Sequence, residues 1–369
     1  MKTILVNYTG KKGGGAQYAY EMTNAFVKSN YKVIAVLSDK LENIELWKKL
    51  NIEEIIYVPT YNGYISFLIA LFKLVLFKEK YRRLIKKYQI DYIYIPMEQP
   101  FTKIVNGLVR KPYILTVHDV TPHSGDNLIT KLIGDLLNLG IRKNANFVVL
   151  LSNKFVNEYS VKYKYSKDKI LVVKHGFFTS LISQTITKME ISNLGKTNFV
   201  FFGRITEYKG IDVLLNAYNQ YFSENDNISL TIVGSGSIEK YESIIKETKK
   251  INIINRWVSD SEIMSFFSIP NTVVVLPYKD ATQSGVISLA HMYKVPVIAT
   301  NTGGLSEQIT HNKTGILVNP NDPHDLLKAM RAICNGIYDT QKITETAFIT
   351  GNNLWQVGVS IIENAIYRT

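Results

Sequence analysis

The chain has 369 residues, a formal net charge of +12 and 46% hydrophobic residues. This length is more than twice that of a typical domain, so we expect two domains, each with its own core. The single cysteine, Cys334, excludes a disulfide within the chain, and the five-residue apolar run near the N-terminus is too short for a signal peptide.

The positive charge is concentrated in the first half of the chain. Residues 1–179 hold 27 lysines and arginines against 14 acidic residues, whereas the remaining residues are nearly balanced. A basic half of this kind could attract nucleic acid, an anionic membrane or a phosphorylated substrate.

Short apolar segments alternate with helical patterns through this first half, which predicts a parallel sheet. The first strand, residues 3–7, leads into the loop KKGGG and then into a helix. Gly14 and Gly15 would let the backbone adopt positive φ and approach a ligand closely. A plain tight turn would have the same composition. Further strands are predicted at residues 32–37, 55–58 and 91–95.

The segment from Tyr64 to Tyr88 joins an apolar run to a strongly basic end. Its apolar part, Ile65 to Phe77, is too short to span a bilayer, which needs about 20 apolar residues. We expect a helix that lies in the interface of an anionic membrane, with its lysines and arginines at the headgroups. The alternative is a core helix with a solvated basic end. The segment favours a membrane over nucleic acid as the partner of the basic half.

A buried strand at residues 113–117 delivers two polar side chains, His118 and Asp119, to the carboxyl edge of this sheet. His123 and Asp126 follow within the next seven residues. A metal site is one interpretation, although the spacing is not the helical i, i+4 pattern. An Asp that holds a His by a hydrogen bond is another. Strands at 146–151 and 170–173 complete this half and are followed by His175.

The second half opens with a strand at residues 198–202 that runs into Gly203 and Arg204, with Lys209 five residues later. Two cations at a strand end and a helix N-terminus suit a diphosphate, because Arg204 can bind it through two nitrogens and Lys209 adds a point charge. Surface charges without a role are the alternative. The next strand, 230–233, ends at Gly234, which is predicted to lie in a turn.

The stretch from Val273 to Gln308 is a βαβ unit: a buried strand, a polar loop, a helix and a second buried strand. In open α/β sheets the carboxyl edge, where both loops emerge, is where ligands bind. The loop from Thr282 to Gly285 would place hydroxyls, a carboxamide and free backbone N–H groups at a helix N-terminus, which favours a phosphate.

Three segments of the second half, 201–218, 232–245 and 273–308, together resemble the donor-binding domain of glycosyltransferase family 4. The resemblance implies an α/β protein of the GT-B fold, with two Rossmann-like, doubly wound parallel-sheet domains that face a cleft. It implies a first domain at 1–178, a linker at 179–197, a nucleotide-sugar domain at 198–350, and a final helix at 351–369 that packs back on the first domain.

The same resemblance implies roles for the candidate residues. The motif TVHD is similar to a segment in which a histidine faces the transferred sugar, so His118 and Asp119 are expected in the reaction centre with Arg204 and Lys209. His123 and Asp126 would face the acceptor. His175 would contact phosphate or sugar, or form only a turn. The expected donor-binding residues are Gly14, Gly15, His175, Gly203, Gly234, Asp280, Thr282, Gln283, Ser284, Gly285 and Glu307.

The chain departs from the family pattern at one place. Most members carry two glutamates separated by seven residues, where this chain has Ala281 and Leu289. Asp280 and Glu307 are the nearby acids that could substitute, and Gln283 could bond sugar hydroxyls. The form ATQSG resembles a branch of the family found in polysaccharide and O-antigen assembly, which indicates a variant donor site.

We therefore expect a retaining glycosyltransferase that moves a sugar from a nucleotide diphosphate sugar to a hydroxyl of a growing, lipid-linked bacterial surface glycan. It would need no metal and no other cofactor, would not bind nucleic acid, and would lie in the cytoplasm at the inner face of the cell membrane. A non-catalytic GT-B scaffold is the alternative. A nicotinamide-dependent oxidoreductase is disfavoured, because KKGGGAQ lacks the GxGxxG form.

Overall fold

A computed structural model of the chain describes residues 2–99, 101–121, 139–181, 196–221 and 227–368. These residues form two compact units. The first contains the chain up to Val120, the stretch from 139 to Lys174 and the residues from Trp355 onward; the second contains Thr121 and His175–Leu354. The predicted domain boundaries stay predictions, because most of the predicted linker lies outside the described residues.

The first unit is built on a seven-stranded parallel sheet of order β3-β2-β1-β4-β5-β6-β7. This order places the carboxyl ends of β1, β4 and β5 side by side. The strands are β1 (Thr3–Tyr8), β2 (Lys32–Ser38), β3 (Glu54–Val58), β4 (Tyr92–Ile95), β5 (Tyr113–Val117), β6 (Phe147–Leu150) and β7 (Ile170–Val172).

The second unit is built on a six-stranded parallel sheet of order β10-β9-β8-β11-β12-β13, in which β8, β11 and β12 are neighbours. The predicted fold class, two Rossmann-like parallel-sheet domains, is confirmed. The strands are β8 (Thr197–Phe202), β9 (Ile228–Val233), β10 (Ile251–Ile254), β11 (Thr272–Leu276), β12 (Val297–Thr300) and β13 (Ile316–Val318).

Helices connect the strands. They are α1 (Gly14–Lys28), α2 (Ile44–Trp47), α3 (Tyr64–Tyr88), α4 (Thr102–Gly107), α5 (Val156–Tyr163), α6 (Ile211–Asn219), α7 (Glu242–Glu247), α8 (Asp260–Phe267), α9 (Gly285–Met292), α10 (Leu305–Gln308), α11 (Pro323–Cys334), α12 (Thr340–Gly351) and α13 (Leu354–Tyr367). All residues of β1, β5, β9 and β11 are buried, as expected for strands of a parallel sheet that is covered on both faces. β5 and β11 are nearly continuous apolar runs, whereas the buried Ser229 and Thr231 of β9 each donate a hydrogen bond to Oδ1 of Asn198.

The final helix, α13, belongs almost entirely to the first unit. The Trp355 indole meets the Tyr18 ring edge to face, with 5.3 Å between the ring centroids. Val359 and Ile362 are fully buried. A side chain at Gly358 would lie 2.4 Å from Val173, so the helix sits close against the residue that follows β7. The predicted return of the last helix to the first domain is confirmed.

Glycines set the spacing of the loops at the carboxyl edge of the second sheet. Gly234, after β9, has φ +146°, and a Cβ there would lie 1.7 Å from the carbonyl oxygen of Gly203, after β8. Gly303, after β12, has φ +45°, and a Cβ there would lie 1.7 Å from the carbonyl oxygen of Ala281. No L side chain fits at such a distance. Neighbouring loops therefore touch backbone to backbone.

We predict that Gly234→Ala destabilises the second unit by at least about 2 kcal/mol. The new methyl group must displace the carbonyl oxygen of Gly203, and alanine at this position must adopt a strained φ. Gly203→Ala is the matched control, since Gly203 also has a positive φ (+135°) but no atom within 4 Å of its Cβ position. The loss of unfolding free energy in both variants is measured by urea titration, with hydrogen exchange of the β8 and β9 amides as the probe. Equal losses in the two variants would contradict the steric argument.

Candidate functional site

The site in the first unit lies where β1, β4 and β5 end. His118 follows β5 directly and is buried. Its Nε2 lies 3.0 Å from the carbonyl oxygen of Pro96, which follows β4, and its ring meets the Tyr18 ring edge to face at 4.7 Å. Asp119, the next residue, is exposed. The sequence thus predicted correctly that both residues stand at the edge of the sheet.

The protonation of His118 follows from these contacts. A carbonyl oxygen can only accept, so Nε2 carries the proton and donates it to Pro96. Burial lowers the pKa of the His118 imidazole below its ordinary value, while the Pro96 carbonyl and the nearby Asp119 oppose the shift. At neutral pH the ring is therefore uncharged, and Nδ1 is the nitrogen with a lone pair. It can accept a hydrogen bond from a hydroxyl group.

A buried ion pair holds the backbone that follows His118. Arg142 is 6% exposed, and its Nε donates to both carboxylate oxygens of Glu98 at 2.8 and 3.0 Å. Its Nη2 also donates to the carbonyl oxygen of Asp119 at 3.1 Å. Lys162 donates to the carbonyl oxygen of Val120 at 3.0 Å. The backbone of Asp119 and Val120, directly after His118, is thus held by cations bound to its carbonyl groups.

The glycine segment lies at the same edge, but only Gly13 has a positive φ (78°); Gly14 and Gly15 open the helix α1, so the expected positive φ at these two residues is wrong. A Cβ at Gly15 would meet the sulfur of Met97 at 2.4 Å and the hydroxyl of Tyr8 at 3.1 Å, so the Met97 side chain would have to move to admit a larger residue. A Cβ at Gly14 would have no atom within 4 Å. Gly15 therefore serves close packing against the ends of β1 and β4, whereas Gly14 leaves room for a ligand.

Arg204 and Lys209 stand at the end of β8 in the second unit, but in different surroundings. Arg204 is exposed. The Lys209 ammonium lies 3.6 Å from the centroid of the Tyr278 ring, over its face. Tyr278 is fully buried and follows β11. A cation over an aromatic ring is attracted by the negative face of the ring, so Tyr278 holds the Lys209 charge beside the loop after β11.

That loop, the β11–α9 loop (residues 277–284), is tied to α10 through a contact that the sequence analysis missed. The N–H of Ser284 donates to Oε1 of Gln308 at 2.8 Å, and Nε2 of Gln308 donates to the carbonyl oxygen of Ser284 at 3.0 Å. The free backbone N–H groups predicted for the loop from Thr282 to Gly285 therefore do not include that of Ser284. Oε1 of Gln283 is buried, and within the described part of the chain it has no donor.

The remaining described candidates all belong to the second unit. Gly203 and Gly234 lie in adjoining loops, as described above. Asp280 is exposed and Glu307 is half-buried, while Thr282 is buried. His175, which the sequence analysis assigned to the first domain, groups with the second unit; its ring lies against Phe178, whose ring in turn would be 3.1 Å from a Cβ at Gly285.

Two predicted acceptor-side residues, His123 and Asp126, lie outside the described residues. Ala281 and Leu289, at the positions of the family glutamates, are both buried. Across the described ranges, no three His, Cys, Asp or Glu side chains are grouped so that they could hold a metal ion.

The helix α3 carries an exposed apolar surface, here called the α3 stripe. Its six residues follow helical i, i+3, i+4 spacing and are 51–79% exposed: Ile65, Leu68, Ile69, Phe72, Val75 and Leu76. The opposite face, which includes Leu74, Phe77 and Tyr81, is buried in the core. The last turns of the helix continue with exposed Arg82, Arg83 and Lys86. None of the helices described is long and apolar enough to cross a membrane.

Two family models match the chain, one in each half. Residues 12–181 match the model described as Glycosyltransferase Family 4, and residues 196–335 match the model described as Glycosyl transferases group 1. Together the two matches cover most of the chain.

Individual relatives are similar at low identity or over only part of their length. An uncharacterized 41.2 kDa protein in the cps region of Klebsiella pneumoniae is 32% identical over 37% of this chain, and the match spans only 36% of that protein. Alpha-monoglucosyldiacylglycerol synthase of Acholeplasma laidlawii is 25% identical over 68% of this chain and 69% of its own length.

Among solved structures, Anabaena HepE in complex with UDP and glucose superposes with a TM-score of 0.70, at 16% identity, over 100% of this chain and 99% of that one. This agreement concerns the fold. The chain thus carries a region that matches a Glycosyltransferase Family 4 model on the first sheet and a region that matches a group 1 glycosyltransferase model on the second, and it has the fold of its GT-B structural neighbours.

Proposed function

We propose that this protein transfers a sugar from a nucleotide diphosphate sugar to a hydroxyl group, with retention at the anomeric carbon. The observation that carries the proposal is the contact of Lys209 with Tyr278 of the β11–α9 loop, next to the strand β8 that Arg204 follows. Two cations beside a helix N-terminus suit a pyrophosphate. The solved neighbour HepE, by its description, binds UDP and glucose.

In this proposal, the groups at the carboxyl edge of the second sheet stabilise the leaving group. When the bond between the sugar and the diphosphate breaks, negative charge grows on the departing phosphate. Arg204 can bind two of its oxygens, Lys209 adds a positive charge that Tyr278 holds in place, and the N–H groups of Gln283 and Gly285 can donate hydrogen bonds. These groups would replace a divalent metal. In the front-face route the departing phosphate then takes the proton of the acceptor hydroxyl.

The first unit would supply contacts to the sugar and the acceptor. Neutral His118 can accept a hydrogen bond from a sugar hydroxyl through Nδ1, and Asp119 stands beside it at the surface. We assign acceptor contacts to His123 and Asp126, on the basis of the sequence resemblance alone. Asp280 and Glu307 are the acids of the second unit that we propose to take over contacts made by the family glutamates.

The acceptor we propose is a lipid-linked bacterial surface glycan. One relative lies in a cps region and another is, by name, a synthase of a glucosylated diacylglycerol. The α3 stripe adds a physical argument, since six exposed apolar side chains are followed on the same helix by exposed cations. Apolar side chains can enter the acyl boundary while arginine and lysine bind anionic headgroups. We therefore place the protein at the inner face of the cell membrane, without a role in nucleic-acid binding.

The first prediction from the proposed function concerns Arg204 and Lys209. Arg204→Ala and Lys209→Ala are each expected to lower the turnover of sugar transfer at least tenfold with folding intact, because each removes charge stabilisation worth more than about 1.4 kcal/mol. The measurement is transfer and hydrolysis with a panel of nucleotide sugars. Lys246→Ala, which removes an exposed lysine of the same unit, is the matched control.

Near-normal turnover in both variants would refute the assignment of these residues. Tight binding of a nucleotide sugar by the unmodified protein, with neither transfer nor hydrolysis of any donor, would instead favour the non-catalytic scaffold.

The second prediction concerns the membrane. The protein should bind vesicles that contain anionic lipid, should bind neutral vesicles much more weakly, and should be released by salt. Phe72→Glu together with Leu76→Glu should reduce binding at least tenfold, because both side chains are exposed and apolar. Val161→Glu is the control, since Val161 is an equally exposed apolar residue of the first unit, on α5. Equal vesicle binding by the double variant and the control would remove the membrane from the proposal.

A further inference from the structure

Ser284 is the point at which the β11–α9 loop is attached to its surroundings. The residue is 3% exposed. The carboxamide of Gln308 is hydrogen-bonded to the N–H and the carbonyl oxygen of Ser284, at 2.8 and 3.0 Å. The Ser284 hydroxyl lies 3.4 Å from the hydroxyl of Tyr278. The Lys209 ammonium lies over the face of the Tyr278 ring. Through Ser284 and Tyr278, α10 is thus connected to both the β11–α9 loop and the cation after β8.

The two bonds to Gln308 restrain the loop more than one bond would. A single hydrogen bond lets the peptide rotate about it, whereas an acceptor and a donor on one planar amide fix the plane of the Ser284 backbone. The orientation of the carboxamide is also determined, because the Ser284 N–H can only donate and its carbonyl can only accept. The loop after β9 is held in the same way: the Asn255 carboxamide is hydrogen-bonded to the N–H and the carbonyl oxygen of Gly236, each at 3.1 Å.

We propose that Gln308 is a positioning residue for the donor diphosphate. It occupies the Ser284 N–H and so removes it from the groups that can bind an anion. At the same time it fixes the direction of the peptides on either side, so that the N–H groups of Gln283 and Gly285 are held ready for phosphate oxygens. A helix N-terminus with fixed N–H groups binds an anion without first losing conformational entropy. The inference rests on the proposed function and names a residue that acts within its donor site.

The test uses a substitution whose effect depends on pH. In Gln308→Glu the ionised carboxylate still accepts from the Ser284 N–H but faces the Ser284 carbonyl without a proton to donate. When protonated, the same side chain donates and accepts as the carboxamide does. Gln308→Leu cannot do either at any pH. Gln341→Glu, the same change at an exposed position on α12, is the control, and Asp280 and Glu307 are present in all four proteins.

The dissociation constant of UDP, or of GDP or dTDP where the unmodified protein binds that nucleotide instead, is measured by calorimetry at pH 8 and pH 5.5. The Ser284 carbonyl faces the new carboxyl and favours its protonated form, which raises its pKa. We therefore expect Gln308→Glu to bind about tenfold more weakly at pH 8 and to return to within about twofold of the unmodified protein at pH 5.5. Gln308→Leu should bind about tenfold more weakly at both values, and Gln341→Glu should match the unmodified protein. Circular dichroism confirms that each variant is folded.

Two results would overturn the inference while leaving the proposed function intact. One is unchanged nucleotide affinity in both Gln308 variants. The other is an equal loss in both variants at both pH values, which would show a purely structural role. Absence of nucleotide binding by the unmodified protein is a different failure, because it would overturn the proposed function and this inference with it.

Discussion

Contact between backbone and backbone at the carboxyl edge of the second sheet is the constraint on which the candidate site depends. Gly234 and Gly303 each receive a carbonyl oxygen of an adjoining loop at a distance that excludes any side chain. Loops that touch in this way have little freedom to shift sideways. Arg204 and the β11–α9 loop therefore stand on a rigid base, and functional groups on a rigid base need less reorganisation to meet a ligand.

The first unit fixes its own edge by charge. The Arg142–Glu98 pair is almost removed from water, and such a pair loses hydration energy that only good geometry restores. Here the guanidinium also donates to the Tyr163 hydroxyl and to the carbonyl oxygens of Val120 and Asp119, so its remaining N–H groups are used. The two halves of the protein thus hold their functional segments by different means: steric exclusion at glycine in one, and a buried ion pair in the other.

The sequence predicted the strands and the return of α13 well, for a physical reason. Strands of a parallel sheet are covered on both faces, so β5 and β12 appear as continuous apolar runs that local reading can find. Contacts between distant segments have no such local signal. Gln308 bonds a residue 24 positions away and Arg142 one 44 positions away. A glutamine that ends a four-residue helix, or an acid just past β4, gives at most a hint. The roles of His118, Arg204 and Lys209 in the reaction stay predictions.

Neither unit is one continuous piece of the chain. Trp355, Val359 and Ile362 complete the core of the first unit, yet the ribosome makes them only after the whole second unit. During synthesis the core of the first unit stays incomplete, with Tyr18 and Val173 not yet covered by α13, until α13 leaves the ribosome. A stop codon after α12 would consequently damage the half of the protein that was translated first, and no single proteolytic cut can release the two halves as intact fragments.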